Sequence, residues 1–281
     1  MSVGFIGLGN IGKPMAKHLL KLGEPVYVDD LAPGPVAELV RLGAQAAAPQ
    51  AIAGQCRIVG LCVRDDGDVE ALLHGDAGLL NHMQPDSVLA VHSTVTQASI
   101  LRWAGEAKGK GIHLVDAPIT GGAAGAEAGT LAYMVGGAAE LVERCRPVFA
   151  TSGRKIIHAG PPGAGIALKL CNNLITYAAF AAMHEADALA RAAGLDPALL
   201  AEVGRANGVV TPQMEAFIGN RSQLAAAGPE TLHKAFGPFG ALGRKDLLAA
   251  LASAEQLGLK LPATERLAEL IEGVFLGHSG R

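Results

Sequence analysis

Three glycines near the start have the types and spacing to do chemistry. Gly7-x-Gly9-x-x-Gly12 stands between a short apolar run, Val3 to Ile6, and a stretch with helical character from Lys13 on. Between a strand and a helix, this spacing is the fingerprint of a dinucleotide site. Gly7 allows a tight turn, Gly9 lets the backbone approach a pyrophosphate, and Gly12 lets the helix pack close to the strand. With Leu8, Asn10 and Ile11 they form the expected phosphate loop, and the helix N-terminus offers N–H groups and partial positive charge to the phosphates. Asp30 follows eighteen residues after Gly12, at the end of an apolar run from Val26. A carboxylate there accepts hydrogen bonds from ribose hydroxyls and repels a 2′-phosphate. Leu31 comes next, with no arginine beside it to grip such a phosphate, so NAD is expected rather than NADP. The competing reading is that Asp29 and Asp30 only start the turn into Ala32-Pro33-Gly34-Pro35.

Further along, Val91-His92-Ser93-Thr94-Val95 ends another apolar run. Ser93 and Thr94 would either face a ligand crevice at the strand ends or cap the helix that follows, while a lone His92 in this place is expected to be structural. Asp116-Ala-Pro118-Ile-Thr120-Gly121-Gly122 sets a hydroxyl before two glycines. Such a segment is either an anion-binding nest of backbone N–H groups or a flexible turn. Lys169 and Asn173 are four apart and share one helical face. A lysine in the apolar setting of Ile166 to Cys171 is expected to be desolvated, which favours the neutral amine needed for proton exchange. The alternative is an interface lysine reaching out to water. Asn173 would hold a substrate hydroxyl beside it. The last segment, Phe236-Gly-Pro-Phe239 through Gly243-Arg244-Lys245-Asp246-Leu247, reads by itself as an exposed charge cluster.

The elements that must position these groups follow from periodicity. Up to about residue 160, short apolar strands (3–6, 26–30, 57–63, 87–91, 112–115, 130–135, 155–158) alternate with helices (36–42, 69–73, 96–108, 138–150), which predicts an α/β fold with a Rossmann-type doubly wound, mostly parallel sheet. Gly160-Pro161-Pro162-Gly163 punctuates the chain. Beyond it the pattern is helical throughout. A helix from Gly165 to Ala193, ended by Gly194, would run about 45 Å. Shorter helices are expected at 197–205, 212–218, 239–257 and 263–274. The implied domains are residues 1–162 for the dinucleotide and an all-α domain, 163–281, for substrate and oligomerisation, entered by the long helix.

The 281 residues are half apolar with a net charge of −3, enough for a sizeable core. No basic run interleaves with aromatics, so nucleic acid is not an expected partner. The longest apolar stretch is interrupted by Lys169, Asn172 and Asn173, so no membrane span is expected. The chain enters a strand at once, which leaves no room for a targeting peptide. Cys56, Cys62, Cys145 and Cys171 show no paired or metal-binding spacing. They are expected to be small core residues in a reducing cytoplasm, and no metal is expected.

Taken together the segments resemble the β-hydroxyacid dehydrogenase family, that of 3-hydroxyisobutyrate dehydrogenase and tartronate semialdehyde reductase. Gly4-Phe-Ile-Gly-Leu-Gly-Asn-Ile-Gly-Lys-Pro-Met15-Ala16 is similar to the family's N-terminal signature, Asp116 to Gly122 to its substrate loop, Gly163-x-Gly165-x-x-x-Lys169-x-x-Asn172-Asn173 to its catalytic helix, and Lys245-Asp246-Leu247 to its second lysine segment. The resemblance implies Lys169 as general acid/base, Asn173 as orienter of the substrate, and Thr120, Gly121 and Gly122 as binders of its carboxylate. It also implies Thr94 at the nicotinamide side with Ser93 nearby, Lys245 closing over cofactor and substrate, and Leu61-Cys62-Val63 lining the cofactor cleft. Two positions depart from the pattern. Thr120 stands where serine is usual, adding a methyl to the pocket, and Cys62-Val63 replaces Leu-Pro. The implied reaction is hydride transfer between NAD and a short β-hydroxy acid or its semialdehyde, in a homodimer or homotetramer. An imine reductase using NADPH and a non-catalytic nucleotide-binding scaffold are the rival readings. Residues shaping the substrate side-chain pocket are expected on C-terminal helices, among them Met214, Phe217, His233 and Phe236.

Overall fold

The structure is a computed structural model that describes Ser2 to His278. It divides into two compact units between Lys169 and Leu170. The first unit runs β1 (Val3–Ile6), α1 (Gly12–Leu19), β2 (Val26–Asp29), α2 (Pro33–Arg41), β3 (Gln45–Ala46), α3 (Pro49–Gln55), β4 (Ile58–Leu61), α4 (Asp66–Leu73), α5 (Leu79–His82), β5 (Val88–Val91), α6 (Gln97–Gly109), β6 (His113–Asp116), β7 (Ile119–Thr120), α7 (Gly122–Ala128), β8 (Leu131–Gly136), α8 (Ala139–Phe149) and β9 (Gly153–Gly160). The sheet order is β3-β2-β1-β4-β5-β6-β8-β7, with β9 on β8. Strands β1 to β6 pair in parallel, and β8 runs antiparallel to β6 and β7.

β1, β4 and β5 are buried along their whole length, as strands covered by helices on both faces must be. β1 lies between β2 and β4 with Val3 opposite both Val26 and Ile58. The strand order therefore reverses at β1/β4, and in such sheets the crevice outside the carboxyl ends at that reversal is where ligands bind. The short elements β3, α3, α5, β7 and α7 have no counterpart in the sequence reading. Each has seven residues or fewer, too few turns for an amphipathic period to show.

α9 (Ala164–Ala192) carries the chain into the second unit, followed by α10 (Pro197–Asn207), α11 (Pro212–Ala226), α12 (Pro229–Gln256) and α13 (Pro262–Leu276). By length and composition α9 could cross a membrane, a test that core helices also pass. Gly194 ends α9 with φ +74° and its N–H on Arg191 O. The core of the second unit is aromatic: Phe180 stacks on Phe217 at 4.3 Å, and Phe275 meets both edge-on.

α12 corrects the sequence expectation. The helix begins ten residues before Phe239, at Pro229, and holds Pro238 inside it. Proline costs a helix one hydrogen bond and a clash, but tertiary packing overrides that here. Gly240 and Gly243 let α12 lie against α13, where a Cβ on Gly240 would stand 3.1 Å from Glu272 Cα. The same packing buries Asp246 and Leu247, so the supposed exposed charge cluster faces the core at Asp246.

His92 is structural, as expected. It is buried, stacks on Phe5, meets Tyr133 and Phe149 edge-on, and bonds Ala117 O through Nδ1. Burial pushes its pKa down to about 4. The native protein thus refuses a proton that the unfolded chain accepts below about 6.5. The stability tied to this neutral ring is complete above pH 6.5 and is lost as the pH falls toward 4. Denaturant titrations at pH 6.5 and 4.5 should show roughly 2 kcal/mol of His92-dependent loss. The His92→Phe variant should have a flatter pH slope whatever its baseline stability, and an unchanged slope would contradict the assignment.

Candidate active site

The phosphate loop is built by close approach. Gly7 has φ +94°, and a Cβ on it would stand 2.3 Å from Cys62 O; a Cβ on Gly12 would stand 2.0 Å from Gly7 O. Gly9 differs, because a Cβ there meets no atom within 4 Å. Its side of the loop is open, as a backbone that must approach a ligand requires. α1 starts at Gly12 with no side-chain cap and no acidic residue in its first turn; the Lys13 N–H bonds Gly9 O and Pro14 has none, so Gly12 carries the first-turn N–H that can meet an anion. Leu8 is buried and anchors the loop, whereas Asn10 is exposed and Ile11 half-buried.

The turn-starting reading of Asp30 is realised, and the carboxylate also holds the glycine loop. One carboxylate oxygen accepts the Leu8 N–H at 2.5 Å, and the other accepts the Ala32 N–H at 2.7 Å, starting the turn into α2. Leu31 is 98% exposed and adds no charge. Burial, and next the Asp30 charge, raise the Asp29 carboxyl above its ordinary range. Across the crevice Ser93 Oγ accepts the Val63 N–H at 2.9 Å, tying the ends of β4 and β5 together. Ser93 therefore neither caps a helix nor presents an uncommitted hydroxyl. The cap of α6 is Thr96, bonded to Ser99 N–H. Thr94 is half-buried beside it. Cys62 is half-buried, and burial raises its thiol to about 12, leaving it unreactive. The loop, the open side of Gly9, the uncapped α1 and Asp30 together fit a dinucleotide.

The root of α9 is the second feature. Asp116 is buried at the end of β6; its Oδ1 accepts the Gly163 N–H at 2.8 Å and its Oδ2 the Ile166 N–H at 2.7 Å. A Cβ on Gly165 would stand 2.4 Å from Met134 O, so glycine is needed for α9 to start this close to the sheet. Burial raises the Asp116 carboxyl above its ordinary range, against the opposing pull of these N–H groups. Lys169 follows within one turn of Ile166 and is half-buried. Cys171 is exposed on α9, unlike the buried Cys56 and Cys145, because its position points away from the buried stripe of Ile166, Leu170 and Asn173. Thr120 is half-buried at the end of β7; Gly121 has φ +128° and leads with Gly122 into α7. The glycine segment is thus an exposed loop-to-helix turn.

In the second unit Asn173 is buried, and its Nδ2 donates to Asp246 Oδ2 at 2.7 Å. Tyr177 OH donates to the same oxygen at 3.1 Å, and Lys245 Nζ lies 3.4 Å from Asp246 Oδ1. Two expected site residues, Asn173 and Lys245, therefore meet through Asp246. Sequence reasoning gave Asp246 no role, although it falls in step with the buried Gly243, Leu247 and Ala250 and was legible as an acid on a core face. Of the expected pocket residues, His233 lines an open cavity with Lys234 and Glu272. Phe217 belongs to the aromatic core, Met214 and Phe236 pack against it, and His233 is exposed. Among the described residues no group of three or more His, Cys, Asp or Glu could hold a metal ion.

A doubly wound sheet with this glycine loop, followed by a helical unit, defines an NAD(P)-dependent oxidoreductase. Residues 2–160 match the family described as the NAD binding domain of 6-phosphogluconate dehydrogenase, and residues 163–279 match the NAD-binding family of NADP-dependent 3-hydroxyisobutyrate dehydrogenase. The chain is 36% identical over 278 residues to 2-(hydroxymethyl)glutarate dehydrogenase of Eubacterium barkeri, covering 97% of this chain and 89% of that one. It is 44% identical over 203 residues to 3-hydroxyisobutyrate dehydrogenase of Pseudomonas aeruginosa, covering 72% and 68%. A solved structure of Mycobacterium tuberculosis 3-hydroxyisobutyrate dehydrogenase with L-serine superposes with TM-score 0.80 at 28% identity, covering 97% and 92%. The chain belongs to the β-hydroxyacid dehydrogenase family.

The glycines should separate by function. Gly9→Val should leave the melting temperature near that of the parent, since nothing in the protein occupies that space, while weakening NADH binding by roughly 10²-fold, about 2.8 kcal/mol. Gly12→Val should lower both, because its side chain must displace the Gly7 carbonyl. Thermal melts with NADH fluorescence titrations read the two effects, and equal effects of the two substitutions on stability would contradict the geometry.

Proposed function

We propose that the protein moves a hydride between NAD and a short β-hydroxy acid or its semialdehyde, with Lys169 as general acid/base. One observation carries the reading: Lys169 and Asn173 stand one turn apart on α9, a helix whose first turn is held at the strand ends by Asp116. In the oxidising direction the neutral Lys169 amine takes the hydroxyl proton of the substrate. A bound oxidised nicotinamide would supply the acceptor for the hydride on the carbon bearing that hydroxyl, which becomes a carbonyl carbon. In the reducing direction the Lys169 ammonium returns the proton to the carbonyl oxygen. That charge also stabilises the developing alkoxide. Asn173 orients the substrate hydroxyl. Thr120, Gly121 and Gly122 hold the carboxylate through a hydroxyl and exposed N–H groups, with Ser93 shaping the crevice behind them.

Gly7, Leu8, Gly9, Asn10, Ile11 and Gly12 cradle the pyrophosphate, Cys62 and Val63 line the cofactor cleft, Thr94 touches the nicotinamide side, and Lys245 closes over cofactor and substrate. The NAD preference rests on Asp30, whose negative charge repels a 2′-phosphate, and on Leu31, which offers that phosphate no cation. In this reading the protein is a cytoplasmic homodimer or homotetramer. Exposed Leu189, Leu199, Val203 and Val209 support association, and cysteines without disulfide partners suit a reducing compartment.

A panel of β-hydroxy acids and cyclic imines, each tried with NAD(H) and NADP(H), tests this. Hydroxy acids should be oxidised with NAD favoured at least about tenfold in kcat/KM, near 1.4 kcal/mol, and light scattering on the same preparation should read a dimer or tetramer. Turnover of imines with NADPH alone, or tight NAD binding with no turnover, would replace the proposal with one of its rivals.

A further inference from the structure

We propose that Asp246 is a positioning residue that commits Asn173 to act on the substrate through its amide oxygen. The inference rests on the reading of α9 given under the proposed function. An ionised carboxylate only accepts hydrogen bonds, whereas an asparagine amide can offer either its oxygen or its NH2 to a ligand. Asp246 Oδ2 takes the Asn173 Nδ2 at 2.7 Å and the Tyr177 hydroxyl at 3.1 Å, and both donors and the carboxylate are buried. Burial, and next the Asp246 charge, raise the Tyr177 phenol above its ordinary range, so it stays a donor. A flipped Asn173 would set its oxygen against the Asp246 oxygen, leaving a buried carboxylate facing an acceptor.

The amide is therefore held one way round, and the group turned to chemistry is Oδ1, which takes the Asn172 Nδ2 at 3.4 Å and keeps a second lone pair, one helical turn from Lys169. An acceptor there receives the substrate's hydroxyl proton donor, or an N–H of the Lys169 ammonium once the proton has moved. It offers nothing to a carbonyl oxygen. Asn173 would thus favour the alcohol form of the substrate and keep the ammonium aligned, while Lys169 alone donates to the carbonyl.

The test is an exchange of the two side chains. In Asp246→Asn the amide of Asn173 can turn either way, and kcat should fall roughly 30-fold with saturating NAD, a condition that sets aside any change in cofactor affinity from the lost charge beside Lys245. Asn173→Asp alone should fall at least as far, because two carboxylates then face each other. The double variant Asn173→Asp/Asp246→Asn should recover to within about fivefold of the parent. In it the new amide at position 246 donates to the new carboxylate at position 173, and an acceptor oxygen is again presented. Its pH limb should move upward, with a carboxylate now one turn from Lys169. An Asp246→Asn enzyme within twofold of the parent, while Lys169→Ala is inactive, would overturn the proposal, as would a double variant whose loss is the product of the single losses.

A readout independent of turnover is the Asn173 side-chain amide in cofactor-free protein, assigned by its disappearance in Asn173→Asp. Its protons should exchange slowly with solvent in the parent and fast in Asp246→Asn. Exchange in the parent as fast as that of the exposed Asn10 would also overturn the proposal. A parent that oxidises no β-hydroxy acid, but keeps the slow amide, would instead sink the functional reading while leaving the clamp in place.

Discussion

A buried carboxylate at the end of a strand holds the first turn of a twenty-nine-residue helix, and the proposed role of Lys169 depends on that hold. A long helix has no reason of its own to begin at one place. Its first N–H groups lack partners within the helix, and Asp116 supplies two of those partners from β6. Each charge-assisted bond contributes about 1.5–3 kcal/mol, and the positive end of the helix dipole adds to it. The same burial raises the Asp116 carboxyl, so desolvation takes back part of the gain at neutral pH. Such a group is better understood as fixing position than as adding stability. Gly165 completes the hold by letting backbone meet backbone, and Lys169 then follows from helical geometry.

The cofactor side obeys the same logic of close approach. Gly7 and Gly12 are needed because protein atoms fill the space a side chain would take, whereas the space beside Gly9 is open, as the proposed cofactor requires. The Asp30 carboxylate ties the loop to β2 through the Leu8 N–H while starting the next turn. One residue thus joins the end of β2 to the glycine loop.

Most of this was legible in the sequence wherever a local rule acts alone. β1, β4 and β5 are continuous apolar runs because both faces are covered, and the glycine spacing carries its own mechanism. The extent of α9 followed from its periodicity and from Gly194. What escaped was set by tertiary partners. Pro238 reads as a helix start, yet α12 runs through it because Gly240 and Gly243 gain contact with α13. Asp246 reads as part of an exposed charged run, yet it faces Asn173 and Tyr177 across the helical core. Ser93 could be placed at a strand end, but nothing local marks Val63 as its partner. Phe217 and Phe236 were legible as large apolar residues on helices, and only packing decides between core and pocket.

In the proposed reaction the amine of Lys169 trades the substrate's proton, and chemical rescue tests that role most directly. Lys169→Ala, assayed with its best hydroxy acid and saturating cofactor, should lose at least about 10³-fold in kcat. Added primary alkylamines should then restore turnover in proportion to their concentration, with rates that rise with amine basicity until bulk excludes them. Near-parental turnover in Lys169→Ala without added amine, or a dead variant that no amine of any size revives while cofactor still binds normally, would contradict that role.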